Sequence, residues 1–304
     1  MLCQCGRVNL LAEKKDADRI AIEDLTKQAK TQSGPMATLT RARRDQLKVE
    51  IAAENAIEKT IKQANQNLLK TIEAATRTIR IQVILGYNDE QLVQYILESG
   101  YGLAVDEFIE QADKIREITQ RMVDAVDYDF DVSEINQQVE ALQATTAQAV
   151  FDEIILPDVK KSINQSLRDI IAEVPVDIAM SNLQARLERS EGRQLTEVKT
   201  QISEYGRAVT AVTAEAAGLD HYLYTGPKDG ITRPFCRALI DLVVDQDQMR
   251  KLNNGQGLSV LTGGGGYNCR HSWSPVTEGF IEAANLKKAT QSDINKANRG
   301  AKRK

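Results

Sequence analysis

A chain of 304 residues and 33.7 kDa, 42% apolar and 27% charged, is long enough for two domains with buried cores. No run of about 18 apolar residues occurs, which excludes a transmembrane helix. The net charge of −4 conceals a basic end: residues 287–304 hold seven Lys and Arg against Asp293, so they carry +6 and the remainder −10. A body this acidic does not suit nucleic-acid binding over its whole surface, which needs clustered cations against phosphate. The start, Met1-Leu2-Cys3-Gln4-Cys5-Gly6-Arg7, lacks the apolar stretch of a signal peptide. Four Cys are too few for a disulfide scaffold in a chain this long, so a reducing cytoplasm is expected.

In chain order, a polar helix is expected from about Asn9 to Gln32, ending at Gly34-Pro35. A much longer helix follows. Leu47, Ile51, Ile57, Ile61, Ala64, Leu68, Ile72, Ala75 and Ile79 recur at steps of three and four with one beat missed at Glu54, the mark of a narrow apolar seam. Continuous from Met36 to Leu85, it would reach roughly 75 Å at about 1.5 Å per residue. Gly86-Tyr87-Asn88-Asp89 stops it, with Asp89 the expected cap of a short helix. After Gly100-Tyr101-Gly102, residues Phe108, Ile115, Met122 and Val126 share one face of another helix, interrupted at Asp127–Asp131. Ser133 is the expected start of the next helix, with Asn136 where a capping box takes Glu or Gln. Pro157 bends or divides that region, Pro175 opens the following helix, and one more helix spans about Leu195 to Ala217. No repeat of solenoid length is present. The acidic side chains of these helices fit solvated faces, and none forms a catalytic constellation.

Composition changes near residue 218. Both His, the only Trp, three of the six Pro and ten of the 18 Gly lie between Gly218 and Phe280, as in a compact, turn-rich α+β unit. His221–Thr225 is a strand signal, Gly226–Gly230 a turn, and Thr232 before Pro234 a helix start leading into Phe235-Cys236. Asp245 is the expected cap of a short helix holding Met249 and Leu252, which ends at Asn253-Asn254-Gly255. Gly263–Gly266 lacks the following Gly-Lys-Ser/Thr of a phosphate loop and suits a flexible linker or hairpin tip.

The fold class is therefore mainly α: a long-helix N-terminal region, 1–190, then a small α+β domain, 191–286, then a basic tail, 287–304. Cys236, Cys269 and His271 are three soft ligands, and His221 or Asp229 would complete a zinc tetrahedron. Cys236 stands alone, however, and Cys-x-His is tighter than the common zinc spacing. Buried thiols with a hydrogen-bonded imidazole satisfy the same residues, as does a Cys236–Cys269 disulfide in an oxidising setting. Asp229 with Arg233 suits an internal ion pair, and Arg270 beside Trp273 suits stacking or pairing. Cys3-x-Cys5 has no partner cluster nearby. Lys296, Arg299, Lys302, Arg303 and Lys304 are the candidate contacts to nucleic acid; a solvated terminus is the alternative.

The two segments T-G-P-K-D-G-I-T-R-P-F-C and G-G-Y-N-C-R-H-S-W-S-P-V, with the helix before them, resemble the C-terminal motif of the phage Mu F-like minor head proteins, also called phage head morphogenesis proteins, over about residues 195–280. Asp229, Thr232, Arg233 and Cys236 match the first half of that motif; Cys269, Arg270, His271 and Pro275 match the second. The order Cys-Arg-His departs from the Cys-Arg-Cys of many relatives. The resemblance implies a structural, non-enzymatic minor capsid component of a tailed bacteriophage, made in the host cytoplasm and lodged inside the head. It would be oligomeric there, associated with the portal protein and other capsid proteins through helices around 36–85 and 103–172, and would act in head morphogenesis or DNA delivery. Packaged DNA would meet the basic tail. Asp229, Arg233, Cys236, Cys269, Arg270, His271 and Trp273 would organise the C-terminal domain without a cofactor, zinc apart. An ejected internal protein and a metal-dependent nuclease or hydrolase delivered with the DNA are the alternatives.

Overall fold

The computed structural model describes residues 5–78, 80–126 and 129–302. The fold is mainly α with a small four-stranded mixed sheet near the C-terminal end. Contacts divide the chain into two compact units, one of Met1–Ile51, Ala112–Leu142 and Ser203–Lys304, the other of Ala52–Gln111 and Gln143–Ile202. The units interleave along the sequence, so they do not follow a linear division at residue 190. No helix among the described residues is long and apolar enough to cross a membrane.

Helix α1 (Cys5–Thr31) precedes α2 (Gly34–Thr76), the long seam helix. The seam ends earlier than its periodicity suggests. The Thr76 and Thr78 hydroxyls turn back onto the Glu73 and Ala75 carbonyls, and a separate short helix, α3 (Arg80–Leu85), follows. Ile79 lies outside the described residues. Next comes α4 (Asp89–Ile96), and its cap is Asn88, not Asp89: the Asn88 side chain accepts from the Gln91 N–H and Gln91 answers onto the Asn88 N–H. A π-helical turn, Leu97–Tyr101, leads into α5 (Leu103–Ala125), with Phe108, Ile115 and Met122 buried on its inner face. Asp131, not Ser133, starts the next segment by accepting from the Ser133 N–H; a 3-10 turn, Val132–Ile135, continues into α6 (Asn136–Ala149). Pro157 sits in the first turn of α7 (Leu156–Ile171), after a π-helical stretch, Val150–Ile155. Pro175 precedes α8 (Val176–Ala216), one continuous helix where two were expected. Gly192 inside it costs only about 1 kcal/mol of helix propensity, which packing on either side offsets.

In the second unit the seam residues Ile57, Ile61, Ala64, Leu68 and Ile72 are buried together with Val159, Ile163, Leu183, Leu187, Val198 and Ile202. The missed beat is accounted for: Glu54 is buried and pairs with buried Lys199 at 3.0 Å. An inward carboxylate with a partner substitutes for an apolar seam residue, whereas an unpaired one would be prohibitive.

In the first unit, strands β1 (His221–Thr225), β2 (Leu242–Asp245), β3 (Ser272–Val276) and β4 (Lys287–Lys288) form a sheet in the order β3-β1-β2-β4. β1 is antiparallel to β2 and β3, and β2 is parallel to β4. Alternation along the strands feeds two cores. Tyr222, Tyr224, Leu242, Val244 and Trp273 pack with α9 (Pro234–Leu239), α10 (Gln246–Lys251) and α13 (Gln291–Ala301). Leu223, Val243 and Val276 pack on the other side with Leu39, Ala42, Ile118 and Met122, and with Phe280 and Ile281 of α12 (Glu278–Ala283). Asp245 caps α10 through a capping box with Gln248, as its sequence indicates.

The segment 287–302 is not a detached tail. Lys287 and Lys288 extend the sheet, the Thr290 hydroxyl caps α13, and Ile294 and Ala297 are fully buried in the same core as Phe235 and Trp273. Lys296, Arg299 and Lys302 occupy the exposed face of α13; Arg303, Lys304 and Cys3 lie outside the described residues.

Candidate functional site

The two half-motifs, about 40 residues apart in sequence, meet beside β1. Asp229 lies in the turn after β1, where its carboxylate accepts from the Ile231 N–H at 3.2 Å and the Thr232 hydroxyl at 2.9 Å. Thr232 therefore locks the turn and does not cap α9, whose N-cap, Arg233, makes no side-chain capping bond. The expected Asp229–Arg233 pair is also replaced. Asp229 Oδ2 lies 2.6 Å from Arg270 Nη1, and Arg270 Nη2 donates to Asp229 Oδ1 at 2.9 Å, with both side chains less than a tenth exposed. Burial opposes ionisation of Asp229, but the Arg270 guanidinium holds its carboxyl below the usual carboxylate range. Arg233 spans to the second half-motif through the backbone, donating to the Gly265 and Tyr267 carbonyls at 2.8 and 2.5 Å. Trp273 packs on Tyr224, ring centroids 4.3 Å apart, and its indole N–H donates to the Val260 carbonyl at 2.9 Å. Pro275 pairs with Tyr222 across the sheet.

Cys236, on α9, and Cys269, just before β3, are buried free thiols with Sγ atoms 3.8 Å apart, so the disulfide alternative does not describe this structure. His271 Nδ1 is 3.8 Å from Cys269 Sγ, and its Nε2 is 2.9 Å from the Pro227 carbonyl oxygen. The Tyr224 hydroxyl completes the group, 3.4 Å from Cys236 Sγ and 3.6 Å from Cys269 Sγ, with its ring stacked on His271. The hydrogen bond from Cys236, with help from His271 and Arg207, holds Cys269 well below the ordinary thiol range; the same bond and burial push Cys236 up. Burial also raises the Tyr224 phenol far above its usual value. Of the two expected fourth ligands, Asp229 is committed to Arg270. His221 lies at the other end of β1, between Asp220 at 2.6 Å and Glu278 at 3.3 Å.

Gly263–Gly266 is neither a linker nor a hairpin tip. All four residues are buried, the Gly265 N–H donates to Cys269 Sγ at 3.1 Å, and a methyl group on Gly265 would overlap Cys236 Sγ. Glycine is required because the backbone itself forms the wall of the thiol cluster. Two buried arginines then hold the loop. Arg207 donates to the carbonyls of Thr262, Cys269 and His271 at 2.7, 2.6 and 3.0 Å. Arg43 donates to the Arg270 carbonyl at 2.7 Å and pairs with Glu50, which also accepts from Ser203. Sequence reasoning passes over Arg43, Arg207 and Tyr224: an Arg within a helix looks like any solvated cation until its carbonyl partners arrive from elsewhere. The turn between Gly266 and His271, with carbonyls that no helix satisfies, is the local hint.

The arrangement supplies two soft sulfur atoms, an imidazole nitrogen and a phenol around one centre, beside a closed ion pair. No family model, no curated protein and no solved structure matches this chain.

Proposed function

We propose that this chain is a structural minor head protein of a tailed bacteriophage, associated with the portal vertex and acting in head morphogenesis or DNA delivery. The observation that carries the reading is the convergence of the two half-motifs that resemble the Mu F-like domain. Asp229 of the first closes on Arg270 of the second, and Cys236 of the first meets Cys269 and His271 of the second. Residues scattered over 43 positions that form one buried cluster behave as a fold-defining motif. The burial of Cys236, Cys269, Arg270 and His271, and the commitment of the Asp229 side chain to Arg270, favour architecture over turnover. The helical remainder then serves contacts with the portal protein and other capsid proteins, and Lys296, Arg299 and Lys302, exposed along one face of α13, are offered to packaged DNA.

Mass spectrometry of purified virions, before and after triggered DNA ejection, tests the reading. A few copies in full particles, retained in emptied ones, is the expected result. Presence in full particles alone would make it an ejected protein, and absence from both would overturn the virion assignment.

A further inference from the structure

We propose that Cys236, Cys269 and His271 bind a zinc ion, with the Tyr224 hydroxyl at the fourth vertex of the tetrahedron. The inference uses the same cluster as the proposed function but does not depend on a virion role. Zinc bound tetrahedrally at about 2.3 Å from sulfur and about 2.0 Å from nitrogen or oxygen requires edges of about 3.8 Å between sulfurs and about 3.5 Å from sulfur to nitrogen or oxygen. The Sγ–Sγ separation is 3.8 Å, the Cys269 Sγ–His271 Nδ1 separation 3.8 Å, and the Tyr224 hydroxyl lies 3.4 and 3.6 Å from the two sulfurs. The three Cys and His ligand atoms lie within 4.8 Å of one another, so a single ion reaches all of them.

The imidazole is oriented as a ligand. The Pro227 carbonyl can only accept, so Nε2 at 2.9 Å must carry the proton, and in the neutral ring the Nδ1 lone pair faces the sulfurs. A backbone carbonyl on the far nitrogen is the usual outer-shell support of a metal-bound His, since it fixes both tautomer and ring plane. The Gly265 N–H on Cys269 Sγ suits a thiolate held by metal, and the two thiolates would neutralise the dication in a site without solvent. The sequence spacing argued against zinc because Cys236 has no neighbouring ligand in the chain. The fold supplies one instead, by packing the start of α9 against the start of β3.

The test is metal analysis of the full-length protein purified without chelator, followed by cobalt substitution. One equivalent of zinc per chain is expected, replaced by cobalt with the intense visible bands of a tetrahedral site and a thiolate charge-transfer band. Cys236→Ser should lose the metal. Because that variant could also unfold, the wild-type cobalt spectrum stands as an independent readout. Tyr224→Phe should keep the cobalt but shift its visible bands; an unchanged spectrum would remove Tyr224 from the fourth vertex. Wild-type protein that takes up no stoichiometric zinc or cobalt while both thiols titrate as free would overturn the site, as would a Cys236–Cys269 disulfide in peptide maps of unreduced protein. Neither result bears on virion content, which the particle measurement decides separately.

Discussion

Replacing Asp229 by Asn removes one charge from the ion pair that joins the half-motifs while keeping the shape of the turn. At 2.6 Å and an effective dielectric near 20, the attraction between the charges is about 6 kcal/mol. Desolvation of two ions costs several kcal/mol each, so the intact pair is close to neutral in net stability. Breaking it is different. The amide oxygen of the variant would still accept from Ile231, Thr232 and Arg270 Nη2, but the Arg270 guanidinium would remain buried with only neutral acceptors, that oxygen and the Ala17 carbonyl 2.9 Å away, and with an NH2 group facing Nη1 in place of Oδ2. An unpaired buried charge of that kind costs roughly 3–5 kcal/mol. The assay is urea denaturation followed by tryptophan emission. Trp273 is the only Trp and is 1% exposed in β3, so its red shift reports unfolding of the sheet-bearing unit, whereas far-ultraviolet circular dichroism is dominated by the helices. The midpoint should fall by the equivalent of about 3 kcal/mol or more, and Asp229→Asn combined with Arg270→Met should recover part of that loss. A single variant within about 0.5 kcal/mol of wild type, or a double variant whose losses simply add, would refute the argument that Arg270 depends on Asp229 for its burial.

The same pair sets an acid limit. The folded pKa of Asp229 lies below its unfolded value, so its contribution is complete above about pH 4 and is lost as pH falls through the lowered folded value. Wild-type stability should therefore decline below about pH 4 more steeply than that of Asp229→Asn, and parallel declines in the Trp273 signal would count against it. Gly265→Ala should destabilise by roughly 1–3 kcal/mol, because the added methyl overlaps Cys236 Sγ and the rigid loop must shift; an unchanged melting temperature would contradict the close packing. Ile294→Ala should cost about 2–4 kcal/mol by leaving a cavity between α13 and α9, and a chain ending at Leu286 should fail to give a cooperative Trp273 transition. A truncated chain with wild-type unfolding would restore the detached-tail description.

Local chemistry determined much of what the sequence alone discloses. The strand His221–Thr225, the Asp245 cap and the inner face of α5 depend on neighbours within a turn or two, so periodicity and capping residues suffice to find them. The seam from Leu47 to Ala75 is legible for the same reason. What only the tertiary structure decided involves partners far apart in the chain. Arg270 rather than Arg233 neutralises Asp229 across 41 positions, and Lys199 makes Glu54 a tolerable seam residue. Arg207 becomes a buried clamp on carbonyls 55 to 64 positions away, and Gly265 becomes the wall of a thiol cluster. The two-residue strand β4 carries no pattern of its own, since a short run of Lys exposes its side chains while its backbone completes a sheet; α13 does carry one, the Thr290–Asp293 capping box with Ile294 and Ala297 at helical spacing, but the surrounding Lys and Arg mask it. Backbone hydrogen bonds and buried charges are satisfied by whatever the fold brings near, and residue type alone does not name that partner.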